Sequence, residues 1–202
     1  NAGTVQVGTG GSGGSLGNVT SLVTKVSTNS TLIINRTGSL TAYQGFWGAG
    51  LVRLTGSVTV NTDGLYAGNS NVVPTLEIGA GTTLVVTGTS VSHARWSVGA
   101  ITNNGAISLT YADLASNVSG TGTLTVNSGY STLTGTNTYS GTTTINAGST
   151  LQVGNANATG VLNTGDITNN GTLIYNRTDA KTIAAKISGT GDLVKQGALA
   201  LT

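Results

Sequence analysis

Few side chains in this chain of 202 residues could carry catalysis. The acidic residues are Asp63, Glu77, Asp113, Asp166, Asp179 and Asp192, and the single histidine is His93. A polysaccharide-cleaving enzyme would need a pair of these carboxylates, and a Ser-His-Asp triad could use only His93. We expect no catalytic centre, because the carboxylates fall at unrelated positions and no nucleophile motif accompanies the histidine.

Cofactor and metal sites have equally little support in the sequence. The segment 8–13 satisfies the spacing of a dinucleotide-binding glycine motif, but the residues that follow, Gly14-Ser15-Leu16-Gly17, do not begin a helix that could hold a pyrophosphate. The same run lacks the Asp residues of calcium-binding β-roll repeats. With no cysteine there is no thiolate site and no disulfide. The sequence therefore predicts no cofactor and no metal.

The composition predicts an uncharged polar surface. Charged residues make up 7% of the chain, whereas about 25% is usual, and 37% of the residues are hydrophobic. The eight basic residues are scattered, with a formal net charge of +2, so we expect no nucleic-acid partner. No apolar run approaches the ~20 residues of a membrane-spanning helix, so we expect no membrane insertion by this segment.

Short strand patterns recur along the chain with a period near seventy. The stretch 122–154 alternates aliphatic residues with Thr, Ser or Gln, which predicts strands with one buried face. One strand ending has three copies, which begin at Val5, Leu76 and Leu151; its second position, Gln152 in the last copy, should face outward. Ile101-Thr102-Asn103-Asn104-Gly105 returns as Ile167-Thr168-Asn169-Asn170-Gly171. We predict three related units at about 1–70, 71–145 and 146–202.

Several short strands in each unit predict a stacked all-β solenoid. At roughly 20–25 residues per turn, as in other stacked repeats, a unit takes about three turns and the chain about nine. A β-sandwich is disfavoured, because its strands do not normally recur at equivalent positions in successive units. The predicted fold is a single-stranded parallel β-helix over residues 1–202, with both ends cut within the solenoid.

The run from Ser119 to Gly154 resembles the autotransporter-associated β-strand repeat, also called the passenger-associated transport repeat, of Gram-negative autotransporter passenger domains. The specific part is Thr134-Gly135-Thr136-Asn137-Thr138-Tyr139-Ser140-Gly141-Thr142-Thr143-Thr144-Ile145-Asn146-Ala147-Gly148. The similarity is weaker over the flanking anchors and loosest between about Tyr43 and Trp96. The resemblance implies a right-handed parallel β-helix displayed outside the cell, with a membrane barrel domain outside this chain.

The same resemblance implies a function. A passenger of this kind is an adhesin stalk on the bacterial surface, which serves cell adhesion, autoaggregation or biofilm formation and thereby virulence. Its partner would be a host-cell or matrix receptor, or an identical rod. The repeats would also aid folding and secretion of the passenger.

Aromatic residues provide the sequence's best signal for a contact site. The repeat register equates Trp47 with Ser119 and Ser188, so Trp47 should point outward. Five further residues fall in the same irregular region: Tyr43, Tyr66, His93, Arg95 and Trp96. Trp, Tyr and Arg are enriched at binding hot spots. We interpret the six as candidate protein or glycan contacts, with the alternative that they cover a loop or an edge.

Two other function classes stay open at this point. A polysaccharide-active β-helix enzyme predicts an acidic cleft. An ice-binding solenoid predicts flat outward threonine ladders, such as one around Thr142-Thr143-Thr144. Irregular turn lengths argue against a flat lattice-matching face.

Overall fold

The structure, a computed structural model, describes residues 3–11, 24–26, 29–41, 46–62, 74–90, 94–96, 99–162 and 165–197. Within these ranges the regular structure consists of β-strands, which confirms the predicted all-β class. The strands are β1 (Thr4–Val7), β2 (Thr24–Lys25), β3 (Thr31–Asn35), β4 (Gly38–Thr41), β5 (Phe46–Trp47), β6 (Leu51–Thr55), β7 (Val58–Thr62), β8 (Thr75–Ile78), β9 (Thr83–Thr87), β10 (Ala94–Trp96), β11 (Ile101–Asn103), β12 (Ala106–Thr110), β13 (Ala112–Leu114), β14 (Val118–Ser119), β15 (Thr123–Leu133), β16 (Thr143–Ile145), β17 (Ser149–Asn157), β18 (Ile167–Asn169), β19 (Thr172–Arg177), β20 (Ile187–Ser188) and β21 (Asp192–Gln196).

The described strands pair in parallel and build three long ladders. The first ladder has the order β1-β3-β6-β8-β11-β14. The second ladder runs β4-β7-β9-β12-β15-β16-β18-β20, and the third runs β10-β13-β15-β17-β19-β21. Strand β15, 11 residues long, belongs to both and joins them into one 13-stranded sheet. Strands β2 and β5 form a separate two-stranded sheet.

Strands within each ladder pair with the strand one turn later in the chain, and this confirms the predicted parallel β-solenoid. The shortest turns lie in the middle of the chain, where Ile101 pairs with Val118, and a longer one lies at its start, where Thr4 pairs with Thr31. The turn that begins at Ile101 is shorter, and the turn that begins at Thr4 is longer, than the predicted length of roughly 20–25 residues. The described part of the chain forms about seven turns, and the predicted count of about nine for all 202 residues stays a prediction.

Aliphatic side chains stack on one another inside the solenoid. In the second ladder Leu84 pairs with Ile107 and Ile107 with Leu124, and each of the three side chains is at most 1% exposed. Parallel rungs about 4.8 Å apart bring these side chains into direct contact. Burial of each large aliphatic side chain contributes about 1.5–3 kcal/mol, so the internal columns hold the turns together.

Glycines at the corners let successive turns approach closely. At the corner before the second ladder, a Cβ on Gly122 would lie 2.4 Å from the carbonyl oxygen of Gly105, and a Cβ on Gly141 would lie 2.2 Å from that of Gly122. Buried Asn103 completes this corner, because its Nδ2 donates to the Thr123 carbonyl at 3.0 Å and its Oδ1 accepts the Gly105 N–H at 3.1 Å. The corner thus excludes any side chain at the glycines and satisfies the polar groups of its asparagine.

Copies of the sequence repeat lie on different ladders. Ile101 belongs to the first ladder and its repeat partner Ile167 to the second. Strand β11 is followed in the chain by β12, which lies on the second ladder. From β12 this ladder passes through β15 and β16 to β18, which is three turns later. The repeat therefore shifts by three turns plus the step from the first ladder to the second. Asn169 still makes the corner bonds of Asn103, since its Nδ2 donates to the Asp192 carbonyl at 2.8 Å. The boundaries of the three units stay a prediction.

Candidate binding surface

The predicted aromatic region is only partly covered by the structure. Three of its candidates lie outside the described residues: Tyr43, Tyr66 and His93. Trp47 lies on β5, where its backbone pairs with Lys25 of β2. The outward direction of the Trp47 side chain stays a prediction. At the equivalent repeat positions, Ser119 is half-buried and Ser188 is exposed.

Arg95 and Trp96 lie on β10, at the edge of the third ladder. Arg95 pairs with Asp113 and Trp96 pairs with Leu114. The structure therefore places these two candidates on a different sheet from Trp47, next to β13.

Two tyrosines that the sequence analysis missed lie along the third ladder. Tyr111 occupies the corner between β12 and β13 with a φ of 47°, in the left-handed region that non-glycine residues rarely adopt. Its ring covers Gly129, where an added Cβ would lie 2.4 Å from Cε1 and Cζ of the ring. Gly129, with a φ of 71°, comes just after a register shift in β15. Tyr130 is the next residue in the chain, so the two tyrosines are neighbours.

Polar side chains lie beside the tyrosines on the same side of the strands. The register pairs Asp113 with Thr132 and Thr132 with Gln152, which forms a column beside Tyr130. We call these residues the tyrosine patch: Tyr111, Asp113, Tyr130, Thr132 and Gln152. All of them except Gln152 are half-buried.

Hydrogen bonds hold the patch in place. The hydroxyl of Tyr130 donates to Oε1 of Gln152, and Nε2 of Gln152 donates to the Gly154 carbonyl at 2.8 Å. Asn176 donates to the same Oε1 at 3.5 Å. Gln152 is only 6% exposed, so its predicted outward position is correct for the side of the strand but wrong for solvent exposure.

The surroundings of Tyr130 favour the protonated form of its hydroxyl. Burial raises the pKa of Tyr130 above its ordinary value, and the negative charge of Asp113 raises it further. The hydroxyl therefore remains both a donor and an acceptor throughout the physiological pH range.

A row of hydroxyl side chains runs along the outside of the second ladder. Its members pair in sequence across five strands: Ser108, Thr125, Thr144, Thr168 and Ser188. We call these residues the hydroxyl row. Residues on either side along the strands, such as Leu124 and Val126, are fully buried, so the alternation shows that the row faces outward. Thr143, between Thr142 and Thr144, is buried and does not belong to an outward ladder.

The described acidic residues lie apart or are bonded to arginines. Glu77 is bonded to Arg53, with 2.5 Å between Oε2 and Nε, and Asp179 is bonded to Arg177 at 2.7 Å. Asp113 and Asp192 share the third ladder but are four strands apart, about 19 Å at 4.8 Å per strand. Carboxylates that cleave glycosidic bonds lie about 5–9.5 Å apart.

Asp166 immediately precedes β18 on the second ladder. Asp166 comes just before Ile167, which pairs with Thr143 and Ile187, so the neighbouring strands place Thr142 and Lys186 beside it rather than a second carboxylate. In the part of the chain that the structure describes, no group of three or more His, Cys, Asp or Glu side chains could hold a metal ion.

Comparisons with known proteins add no assignment to this geometry. Among the described residues there is no helix of the length and apolar character needed to cross a membrane. No family model matches the chain, and neither a curated protein nor a solved structure matches it.

Proposed function

We propose that this chain is a non-catalytic segment of a surface-displayed autotransporter passenger, with a right-handed solenoid that acts as an adhesin stalk. It would lie outside the bacterial cell and contribute to cell adhesion, autoaggregation or biofilm formation. Its partners would be a host-cell or matrix receptor or a second rod. The resemblance of residues 119–154 to passenger repeats is the basis for the cellular setting.

The hydroxyl row is the observation that carries the proposal. Five hydroxyl side chains on consecutive strands present a regular, uncharged surface along the solenoid. Asn127 extends this surface, because its Nδ2 donates to the hydroxyl of Ser108 and its Oδ1 accepts from Asn146 at 3.3 Å. Little charge repulsion opposes the approach of another uncharged surface, so a stalk of this kind can adhere along its length.

Charge substitutions in the hydroxyl row test the proposal. We expect Thr125→Glu with Thr144→Glu, displayed on a non-adherent Gram-negative host, to reduce aggregation and attachment, because the new carboxylates repel each other between rods and must lose water at any contact. The matched control carries the same charges at Thr136 and Thr138, which are exposed but lie off the row. If display of the unmodified chain produces neither aggregation nor attachment, the adhesive function is wrong.

The hydroxyl row also favours a second candidate, an ice-binding solenoid. The row has a spacing of about 4.8 Å along the ladder, and Thr123 and Thr142 lie two residues before Thr125 and Thr144 on the same side, about 6.7 Å away. Such a two-dimensional array of hydroxyls could order water. Thermal hysteresis in a solution of the purified chain would support this candidate, and its absence would eliminate it.

The described carboxylates weigh against a polysaccharide-active enzyme, since Glu77 and Asp179 are bonded to arginines and Asp113 and Asp192 are far apart. Asp63 lies outside the described residues. Incubation of the chain with plant and bacterial polysaccharides tests this alternative, and release of reducing ends would overturn the non-catalytic assignment.

A further inference from the structure

We propose that the tyrosine patch is a binding site for a neutral saccharide. The inference deepens the adhesive function and rests on it, because it names the chemical class of ligand that one face of the stalk would recognise. The patch lies on the third ladder, away from the hydroxyl row on the second.

The dimensions of the patch suit one or two sugar rings. Tyr130 and Thr132 are two positions apart on one strand, about 6.7 Å, and the column from Asp113 through Thr132 to Gln152 covers two steps of about 4.8 Å. The patch is therefore about 7 Å wide and 10 Å long. Its two tyrosines, Asp113 and Thr132 are half-buried, so each keeps part of its side chain open to a ligand.

Its two columns offer the two kinds of contact that a sugar needs. Tyr111 and Tyr130 form an aromatic column, and an aromatic ring packs well against the C–H face of a pyranose. Asp113 and Thr132 form a polar column, in which a carboxylate accepts and a hydroxyl both donates and accepts hydrogen bonds. Sugar hydroxyls at the ring edge would meet this column while the ring face lies on the tyrosines.

The site is held rigid before any ligand binds. Tyr111 is confined by its left-handed backbone and by contact with Gly129, and Tyr130 is bonded through its hydroxyl to the buried Gln152. Backbone ladders on both sides fix the strands that carry these residues. Little entropy is lost on binding when the side chains are already ordered, so even a small contact area can give measurable affinity.

Charge and polarity decide between ligand classes. Arg95 pairs with Asp113 on the neighbouring strand β10, so this end of the patch carries opposite charges and offers no net positive charge to sulfated, phosphorylated or sialylated ligands. A protein partner is disfavoured because the patch lacks the apolar centre of a protein interface: apart from two aromatic rings, its members are Asp, Thr and Gln. A neutral saccharide satisfies both conditions.

The test uses a printed array of neutral hexose and N-acetylhexosamine oligosaccharides, with sialylated and sulfated glycans on the same slide. We expect the purified chain to bind neutral glycans and calorimetric titration with the best of them to show binding that salt does not weaken. Loss of one ring, in Tyr130→Ala or Tyr111→Asn, should weaken binding by about tenfold. Asn tolerates the left-handed backbone at position 111, so this variant should stay folded.

Thr138→Ala, which is exposed and lies off both the tyrosine patch and the hydroxyl row, is the matched control and should bind like the unmodified chain. Three results would overturn the saccharide site: no binding to any neutral glycan by the folded chain, preference for anionic glycans, or unchanged affinity in both folded tyrosine variants. The displayed chain separates this inference from the adhesive function. Attachment that persists in the tyrosine variants while neutral glycans do not bind would overturn the saccharide site alone.

Discussion

Two tyrosines inside the solenoid should make its stability fall steeply in alkaline solution. Tyr139 is fully buried and its hydroxyl bonds to Oγ1 of Thr143 at 2.7 Å, and Tyr175 is only 3% exposed. Burial raises the pKa of both tyrosines well above the ordinary value of 10.0. The Thr143 hydrogen bond lowers the pKa of Tyr139 and the charge of Arg177 lowers that of Tyr175, but each offsets the effect of burial only in part. The folded state therefore retains two protons that the unfolded chain releases near pH 10.

The magnitude follows from proton linkage. Below pH 10 both states are protonated at these residues, so their contribution to stability is fully present. Between pH 10 and the raised folded pKa, the folded state binds more protons, and the free energy of unfolding falls by about 1.36 kcal/mol per pH unit for each tyrosine. The two together remove about 2.7 kcal/mol per pH unit, a large share of the usual 5–15 kcal/mol stability of a domain.

Urea unfolding at pH 9, 10 and 11, compared between the unmodified chain and Tyr139→Phe with Tyr175→Phe, measures this effect. The double variant should lose about 1 kcal/mol at neutral pH for the Tyr139 hydrogen bond, and its stability should then depend much less on pH above 10. The lysines and the other tyrosines are the same in both proteins, so their effect cancels. Equal slopes for the two proteins above pH 10 would refute the reasoning.

Two further predictions concern the solenoid itself. Gly141→Ala should destabilise the chain by about 1–3 kcal/mol, because the new methyl group would lie 2.2 Å from the backbone oxygen of Gly122; Gly3→Ala, with no atom within 4 Å, should leave the thermal unfolding temperature unchanged. Leu124→Ala should cost about 2–5 kcal/mol in urea unfolding because its side chain is fully buried. Leu193→Ala, at a side chain that is 49% exposed on β21, should cost less than half as much, and equal losses would contradict the internal column.

Local sequence patterns were enough to predict the fold class. The alternation in Leu124-Thr125-Val126 predicts one buried and one outward side, and the structure shows Leu124 and Val126 buried with Thr125 outside. Recurrence of Ile101 to Gly105 at Ile167 predicts a repeated corner, and both copies make the same asparagine bonds. These predictions succeeded because strand alternation and corner geometry depend mainly on residues close together in the chain.

The same local patterns could not predict contacts between side chains on successive turns. The patch around Tyr111 and Tyr130 was missed, because the two residues are a full turn apart in the chain and become neighbours only when β13 stacks on β15. The alternation of Tyr111 with Asp113 and of Tyr130 with Thr132 was the available signal.

By itself, then, the sequence determined that the chain forms short strands with an aliphatic interior, an uncharged polar exterior and glycine corners, since each of these follows from residue type and local spacing. Only the tertiary structure decided which side chains meet across turns. It placed Ile101 and Ile167 on different ladders and buried Gln152 beside Tyr130. The physical reason is that stacking contacts join residues a whole turn apart, and the register of each turn on the next sets which ones meet.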